Sequence, residues 1–204
     1  RNQKKTEFQK FYYTNIEKLT VLYFGSFNPF HIGHASVARF VAQLLWVDNV
    51  CFVLSPKNPI KESNTLQDAN LRWADLQRVV RKLNAELGDG VQGSIPWRDT
   101  AEDSSSASAT NCREEKFSAS DIEFHLEPPL YTINTLERLE KDFPRRHFAI
   151  LMGGDNINIL HKWYRGEEIM QKCPILVYPR QGFDTEAMCQ EKGAIFIDAP
   201  PVDV

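Results

Sequence analysis

Several features that would place this chain of 204 residues in a familiar class are missing from its sequence. No apolar stretch approaches the ~20 residues that a membrane-spanning helix needs. The net charge is only −3, whereas a general nucleic-acid binder is usually strongly basic. The four cysteines form no C-x-x-C pair, which argues against a zinc site and favours scattered thiols of a reducing, cytoplasmic compartment. We therefore predict a protein that binds neither nucleic acid nor a membrane.

Two nucleotide-binding signatures are also missing where they would be needed. The first predicted strand is not followed by the G-x-G-x-x-G fingerprint of a dinucleotide-binding fold, and the chain contains no G-x-x-x-x-G-K-[ST] motif. Neither hydride transfer nor a P-loop kinase is therefore favoured.

What the chain does have is an alternation of apolar runs and apolar helix faces. Residues 19–24 (LTVLYF) and 50–54 (VCFVL) predict buried strands, and residues 37–45 between them have apolar side chains at helical spacing. Further strands are predicted at 117–124, 147–152, 175–178 and 194–197, and further helices from near Leu66 to Leu87, at 136–143 and at 157–164. This order predicts an α/β, Rossmann-like fold with a parallel sheet covered by helices on both faces.

The predicted domain organisation is simple. Residues 1–17 are polar and predict an N-terminal arm, and residues 18–204 predict one domain. The serine-rich segment 101–110 has no large apolar side chain and predicts a mobile surface loop.

The segment after the first predicted strand, residues 25–34 (GSFNPFHIGH), carries the most informative chemistry. Gly25 permits a sharp turn and lets a ligand approach the backbone. His31 and His34 are three residues apart, so they project to the same side of a first helical turn. Imidazoles beside the free N–H groups of a helix N-terminus suit phosphate oxygens and the charge that builds on a leaving pyrophosphate. The alternative, a helix cap and a core contact, is less favoured because both histidines follow the carboxyl end of a predicted parallel strand.

Together with this loop, other segments form an ordered set of motifs. They are 56–61 (PKNPIK), 120–123 (SDIE), 129–136 (PLYTINTL), 153–156 (GGDN), 163–169 (WYRGEEI) and 175–183 (ILVYPRQGF). From about residue 19 to 183 the chain resembles the bacterial nicotinate mononucleotide adenylyltransferases of the nucleotidyltransferase superfamily, although Leu130 stands where that family usually has serine.

The resemblance implies a reaction and its substrates. The phosphate of nicotinate mononucleotide would attack the α-phosphorus of ATP, deamido-NAD would form, and pyrophosphate would leave with the help of Mg²⁺ bound to the substrate phosphates. Such chemistry needs no protein nucleophile, because the enzyme has only to align two anions and stabilise the transition-state charge.

The resemblance also implies residue roles on the ATP side. His31 and His34 would hold the phosphates, with His34 the stronger catalytic candidate. The other ATP-binding residues would be Gly25, Ser26, Phe27, Gly153, Asp155 and Arg180. The structural alternatives are a plain helix N-cap for Asp155 and a surface charge for Arg180.

On the mononucleotide side the resemblance implies a second set, Lys57, Lys61, Tyr131, Thr132, Trp163 and Tyr164. The two lysines would contact phosphate, with a solvated loop as the alternative. Trp163 would stack on the pyridine ring, with a place in the core as the alternative. Backbone N–H groups near Tyr131 and Thr132 would bind the nicotinate carboxylate.

One departure from the family keeps other interpretations open. The family has a serine-rich segment ending in arginine after its last strand, and residues 198–204 do not show it. We expect the intact protein to continue past Val204 with that segment. A sister enzyme such as pantetheine-phosphate adenylyltransferase, or a nucleotide-binding module without catalysis, remains an alternative. The sequence leaves open the preference between nicotinate and nicotinamide mononucleotide and the oligomeric state, a homo-oligomer included.

Overall fold

A computed structural model describes residues 19–56, 68–87 and 115–200, so the predicted arm 1–17 and loop 101–110 lie outside the described residues. The strands are β1 (Leu19–Gly25), β2 (Asn49–Leu54), β3 (Phe117–Ser120), β4 (His147–Gly153), β5 (Ile175–Tyr178) and β6 (Ile195–Phe196). They form one sheet in the order β3-β2-β1-β4-β5-β6, and every neighbouring pair is parallel. The predicted α/β fold with a parallel sheet is confirmed.

Helices cover both faces of this sheet. They are α1 (Ile32–Ala42), α2 (Ala69–Glu86), α3 (Thr132–Asp142), α4 (Gly154–Ile159), α5 (Gly166–Lys172) and α6 (Thr185–Lys192), with single 3₁₀ turns at Ile122–His125 and Leu160–Lys162. Within the described ranges, no helix is long and apolar enough to cross a membrane.

The core consists of two apolar layers, one on each side of the sheet. On one side Val21 of β1 packs in a cluster with Val37 of α1 and Leu76 of α2. On the other side Leu22 belongs to a cluster with Leu136 of α3 and with residues of α4, α5 and α6. Alternate side chains of one strand thus enter different layers, which explains why the strand sequences are apolar throughout.

The strand order places the ligand-binding edge of the sheet. The chain runs from β1 outward to β2 and β3, then returns to the other side of β1 for β4, β5 and β6. The carboxyl ends of β1 and β4 therefore lie at the point where the strand order reverses, which is where open α/β sheets bind ligands. Gly25 and Gly153 end these two strands.

Several predicted boundaries were wrong for local reasons. The first helix ends at Ala42, because the Gln43 N–H closes a tight turn onto Phe40 and Val41; Leu45, predicted in its apolar face, is 85% exposed. The second helix begins at Ala69, where the Asp68 side chain accepts hydrogen bonds from the first turn. Its predicted start near Leu66 lies outside the described residues.

Other boundaries differ where the chain turns instead of continuing. The predicted strand 117–124 ends at Ser120 and passes into a 3₁₀ turn that brings Glu123 into the interior. The helix predicted at 157–164 divides into α4 and a 3₁₀ turn, so Tyr164 lies outside both. The last strand is only Ile195–Phe196.

Sequence reasoning missed α5 and α6. For α6 a signal was present, since Asp184 caps its start by accepting the Ala187 N–H and Gly193 ends it at a φ of 72°. Helix α5 has only seven residues, too few for its apolar side chains to show a helical period.

Candidate active site

The loop between β1 and α1 brings the two predicted histidines together. His31 is the N-cap of α1, and the rings of His31 and His34 are stacked with their centroids 3.6 Å apart. The backbone N–H of His31 donates to Nδ1 of His34 over 3.3 Å. Because a backbone N–H can only donate, Nδ1 carries no hydrogen, and a neutral His34 therefore presents an Nε2–H donor.

Both imidazoles favour the neutral form in this arrangement. Burial, followed by the nearby His31 and Arg180, lowers the pKa of His34 from 6.5 to about 3. Burial and the Arg180 charge also lower the pKa of His31. The site thus offers hydrogen-bond donors that are already oriented, and an incoming anion would favour their protonation.

Three aromatic rings pack around His34 and fix its position. The rings of Phe27 and Phe30 lie with their centroids 5.2 Å from that of His34, and the Tyr23 ring is 5.9 Å away. Phe27 is 4% exposed and has a left-handed φ of 43°, a strained conformation for a bulky residue. A Cβ at Gly25 would lie 2.9 Å from the Phe27 ring. Glycine is therefore required there, and only the backbone of Phe27 is available to a nucleotide.

Asp155 and Arg180 meet at the carboxyl ends of β4 and β5. The Arg180 Nε lies 3.4 Å from Oδ1 of Asp155, and its guanidinium lies over the Tyr178 ring at 5.6 Å. Arg180 is thus held in the site rather than standing as an isolated surface charge. The N-cap of α4 is Gly153, so the N-cap alternative for Asp155 was wrong. A Cβ at Gly153 would lie 2.4 Å from Asp155 Oδ1, so this glycine makes room for the ion pair.

A buried pair of tyrosines lies beneath this group, and sequence reasoning missed it. The Tyr23 hydroxyl donates to the Tyr178 hydroxyl over 3.2 Å, which ties β1 to β5 across β4. Burial, then the neighbouring Tyr178, raises the pKa of Tyr23, so the pair is neutral. Each tyrosine lies near the end of an apolar strand, and that position was the only signal in the sequence.

A second group of predicted residues lies at the start of α3. Tyr131 is its N-cap and Thr132 its first residue. The Tyr131 ring stacks on that of Tyr164 with centroids 4.4 Å apart, and the two side chains are 37% and 53% exposed. Trp163 is partly buried and packs against the core cluster on this side of the sheet. Lys57 and Lys61 lie outside the described residues.

Comparison with protein families decides the relationship. The model of the cytidylyltransferase-like family matches residues 22–201. A probable nicotinate-nucleotide adenylyltransferase of Flavobacterium psychrophilum is 40% identical over 164 residues, which are 80% of this chain and 69% of that protein. The chain belongs to the nicotinate-nucleotide adenylyltransferase family. A probable enzyme of the same name from Bacteroides fragilis is 32% identical over 185 residues, or 91% of this chain and 77% of that protein.

Solved structures give the same fold for this family member. A Plasmodium falciparum nicotinic acid mononucleotide adenylyltransferase complexed with NaAD has a TM-score of 0.65 and 18% identity, covering 92% of this chain and 76% of that one. The same enzyme complexed with APC has a TM-score of 0.63 and 17% identity, over 92% and 75% of the two chains. The family predicted from the motifs is therefore confirmed.

Two buried charged residues of this family member were not predicted as functional. Arg72 of α2 is 2% exposed, and Glu123 of the 3₁₀ turn is 4% exposed. Glu123 belongs to the motif at residues 120–123, whereas no sequence pattern in α2 indicates a role for Arg72. Both contact the loops that lead into the site.

Proposed function

We propose that the protein transfers the adenylyl group of ATP to nicotinate mononucleotide, giving deamido-NAD and pyrophosphate in NAD biosynthesis. The observation that carries this proposal is the stacked pair His31 and His34 at the sheet's switch point, in a chain of this family. The stacked pair Tyr131 and Tyr164 provides a second, aromatic surface that suits a pyridine nucleotide.

On the ATP side the chain's groups stabilise charge. The Nε2–H of His34 and the ring of His31 donate to phosphate oxygens, and Arg180 supplies a positive charge that acts on both imidazoles. The backbone of Gly25, Ser26 and Phe27 lies along the nucleotide. Donors that are oriented before the reaction stabilise charge as it develops on the leaving pyrophosphate.

Gly153 and Asp155 complete the ATP side in this proposal. Gly153 leaves the space that Asp155 and Arg180 occupy. The Asp155 carboxylate accepts a hydrogen bond from a ribose hydroxyl while its ion pair keeps Arg180 directed at the phosphates.

On the acceptor side the substrate phosphate is the nucleophile. Trp163 and Tyr164 line the pyridine ring, and the first N–H groups of α3, after Tyr131 and Thr132, bind the carboxylate that distinguishes nicotinate from nicotinamide. Lys57 and Lys61 contact the mononucleotide phosphate. With both substrates bound, the two phosphates are held in one orientation, which removes much of the entropic part of the barrier.

Magnesium fits this site as an ion bound to the nucleotide. Among the described residues, no three His, Cys, Asp or Glu side chains form a cluster able to hold a metal ion, and Asp155 is already paired with Arg180. We propose that Mg²⁺ enters on the ATP phosphates, where it would neutralise part of their charge.

The thiols support a cytoplasmic location for this enzyme. Cys51, Cys173 and Cys189 are buried and unpaired, as expected in a reducing compartment.

The deciding experiment measures pyrophosphate release from ATP and Mg²⁺ with nicotinate mononucleotide, nicotinamide mononucleotide or phosphopantetheine as acceptor. We expect turnover at the highest rate with nicotinate mononucleotide. Turnover with phosphopantetheine alone would overturn the assignment in favour of a sister enzyme, and no turnover with any acceptor would favour a module without catalysis.

A further inference from the structure

Ser55, directly after β2, is a junction between the two halves of the site. Its N–H donates to the Gly25 carbonyl over 2.9 Å, which ties it to the end of β1. Its carbonyl accepts a hydrogen bond from Arg72 over 3.0 Å, and its side chain lies close enough to the Glu123 carboxylate to lower the pKa of that group. One residue therefore contacts three separate parts of the chain.

Arg72 connects Ser55 to the loop between β1 and α1, which is the phosphate-binding loop in the proposed function. Besides the Ser55 carbonyl, its guanidinium donates to the carbonyls of Ser26 and Pro56, over 2.7 Å each. Burying a guanidinium is costly unless its donors find partners, and here three backbone carbonyls occupy its fork. Arg72 thus holds the loop after β1 and the chain after β2 at a fixed separation.

Glu123 extends the junction to the acceptor side. Its Oε1 accepts a hydrogen bond from the Thr135 hydroxyl over 3.0 Å. Thr135 is fully buried in the first turn of α3, and its N–H donates to the carbonyl of Tyr131 over 3.3 Å. Burial raises the pKa of Glu123, and its hydrogen bonds from Ser55 and Thr135 oppose that shift.

We propose that Arg72, Ser55, Glu123 and Thr135 form a positioning relay, which sets the distance between the phosphate-binding loop and the start of α3. The inference rests on the proposed function, because these two elements hold the two substrates. None of the four is a catalytic residue here; they act through Ser26 on one side and Tyr131 on the other. Since a misplacement of about 1 Å can cost on the order of 10²-fold in rate, such a relay would be visible in kcat.

The sharpest test uses two substitutions of Thr135 that distinguish the role of its hydroxyl from the role of its volume. Thr135→Val keeps the volume and removes the hydroxyl, whereas Thr135→Ser keeps the hydroxyl and removes a methyl group. We expect kcat to fall about 10–100-fold in T135V and less than about 3-fold in T135S. The dissociation constants of ATP alone and of nicotinate mononucleotide alone, measured by calorimetry, should change less than about 3-fold in both.

A role in packing alone predicts the opposite order. T135V would then keep its activity and T135S would lose stability and rate together, which would overturn the relay. Equal kcat values in the wild type and in T135V would overturn it as well.

A second variant, at Arg72, tests the other end of the relay. It keeps the proposal testable if T135V does not fold. Arg72→Lys keeps the charge but cannot satisfy three carbonyls with the same planar fork, so we expect a similar loss of kcat with each single-substrate affinity retained. Glu127→Gln, an exposed neighbour of Glu123, is the matched control and should leave kcat unchanged. A wild type inactive with nicotinate mononucleotide would refute the proposed function, whereas an active wild type with unaffected T135V and Arg72→Lys variants would refute the relay alone.

Discussion

The imidazole of His31 stacks on that of His34 at 3.6 Å, with an angle of 27° between the ring planes. Two rings this close do not both carry a charge readily, and the nearby His31 is one of the causes that lower the pKa of His34, after burial. The backbone hydrogen bond to Nδ1 of His34 directs its proton to Nε2. In the proposed function the pair therefore acts through oriented N–H donors, and an anion bound beside it would favour protonation of the rings.

Replacing His34 tests this role directly. We expect His34→Ala to lower kcat by about 10²–10³-fold, the loss measured when a donor aimed at developing charge is removed. Mononucleotide binding, measured by calorimetry, should change little. His34→Gln, which can place an amide N–H near the position of Nε2, should recover part of the rate. An unchanged kcat in a folded His34→Ala variant would reduce His34 to a structural cap.

The lowered pKa of His34 predicts a pH dependence of stability. The folded-state pKa of about 3 lies below the ordinary 6.5. Between these two pH values the His34 imidazole is therefore protonated in the unfolded chain and neutral in the folded chain. The contribution of His34 to the free energy of unfolding is thus complete above pH 6.5 and falls towards pH 3, by up to about 1.4 kcal/mol per pH unit. The difference in unfolding free energy between the wild type and His34→Asn should shrink as the pH falls from 7 to 4. A difference that stays constant would contradict the lowered pKa.

The parts of the candidate site that the sequence predicts are local in the chain. His31 and His34 are three residues apart beside a strand that its apolar run made visible, and the strand and helix patterns predicted the parallel sheet. The missed parts depend on distant contacts. Arg72 lies 46 residues from Ser26, and Tyr23 lies 155 residues from Tyr178. No spacing rule brings such residues together before the strand order is known.

Short elements were missed for a related reason. Helix α5 has seven residues; its Ile169 is buried in the core cluster on this side of the sheet, and Arg165 and Lys172 at its ends form ion pairs with Glu137 and Glu140 of α3. Tertiary contacts rather than a long periodic pattern thus fix such helices.

Trp163 is predicted to act on the mononucleotide in its ground state. Stacking of an aromatic side chain on a base contributes roughly 1–3 kcal/mol, so Trp163→Ala should raise KM for nicotinate mononucleotide about 10-fold and leave KM for ATP nearly unchanged. Trp163→Phe keeps a flat ring and should show a smaller increase. Because Trp163 also packs against the core, both variants should have a lower Tm. Equal increases in the two KM values would identify it as a packing residue only.

The contact between Gly154 and Thr185 decides whether Gly154→Ala should stabilise or destabilise the protein. Gly154 begins α4, and a Cβ placed there would lie 2.3 Å from the Thr185 Oγ1 of α6. Helix propensity alone predicts that Gly154→Ala stabilises the protein, by up to about 1 kcal/mol. Overpacking predicts the reverse, a loss of about 1–3 kcal/mol, and we expect the loss, together with a lower kcat because Gly153 and Asp155 flank this residue.

A double-mutant cycle with Thr185 isolates that contact. The Thr185 hydroxyl is buried without a hydrogen-bond partner among the described residues, so Thr185→Ala should cost less than about 1 kcal/mol, since the lost methyl packing is offset by the removal of an unsatisfied hydroxyl. The same change opens the space that a Cβ at Gly154 needs. The double variant should therefore unfold in urea with nearly the free energy of Thr185→Ala, which gives a coupling energy of at least about 1 kcal/mol. Additive losses would show that Gly154 is required for its backbone conformation and not for the close approach of α4 to α6.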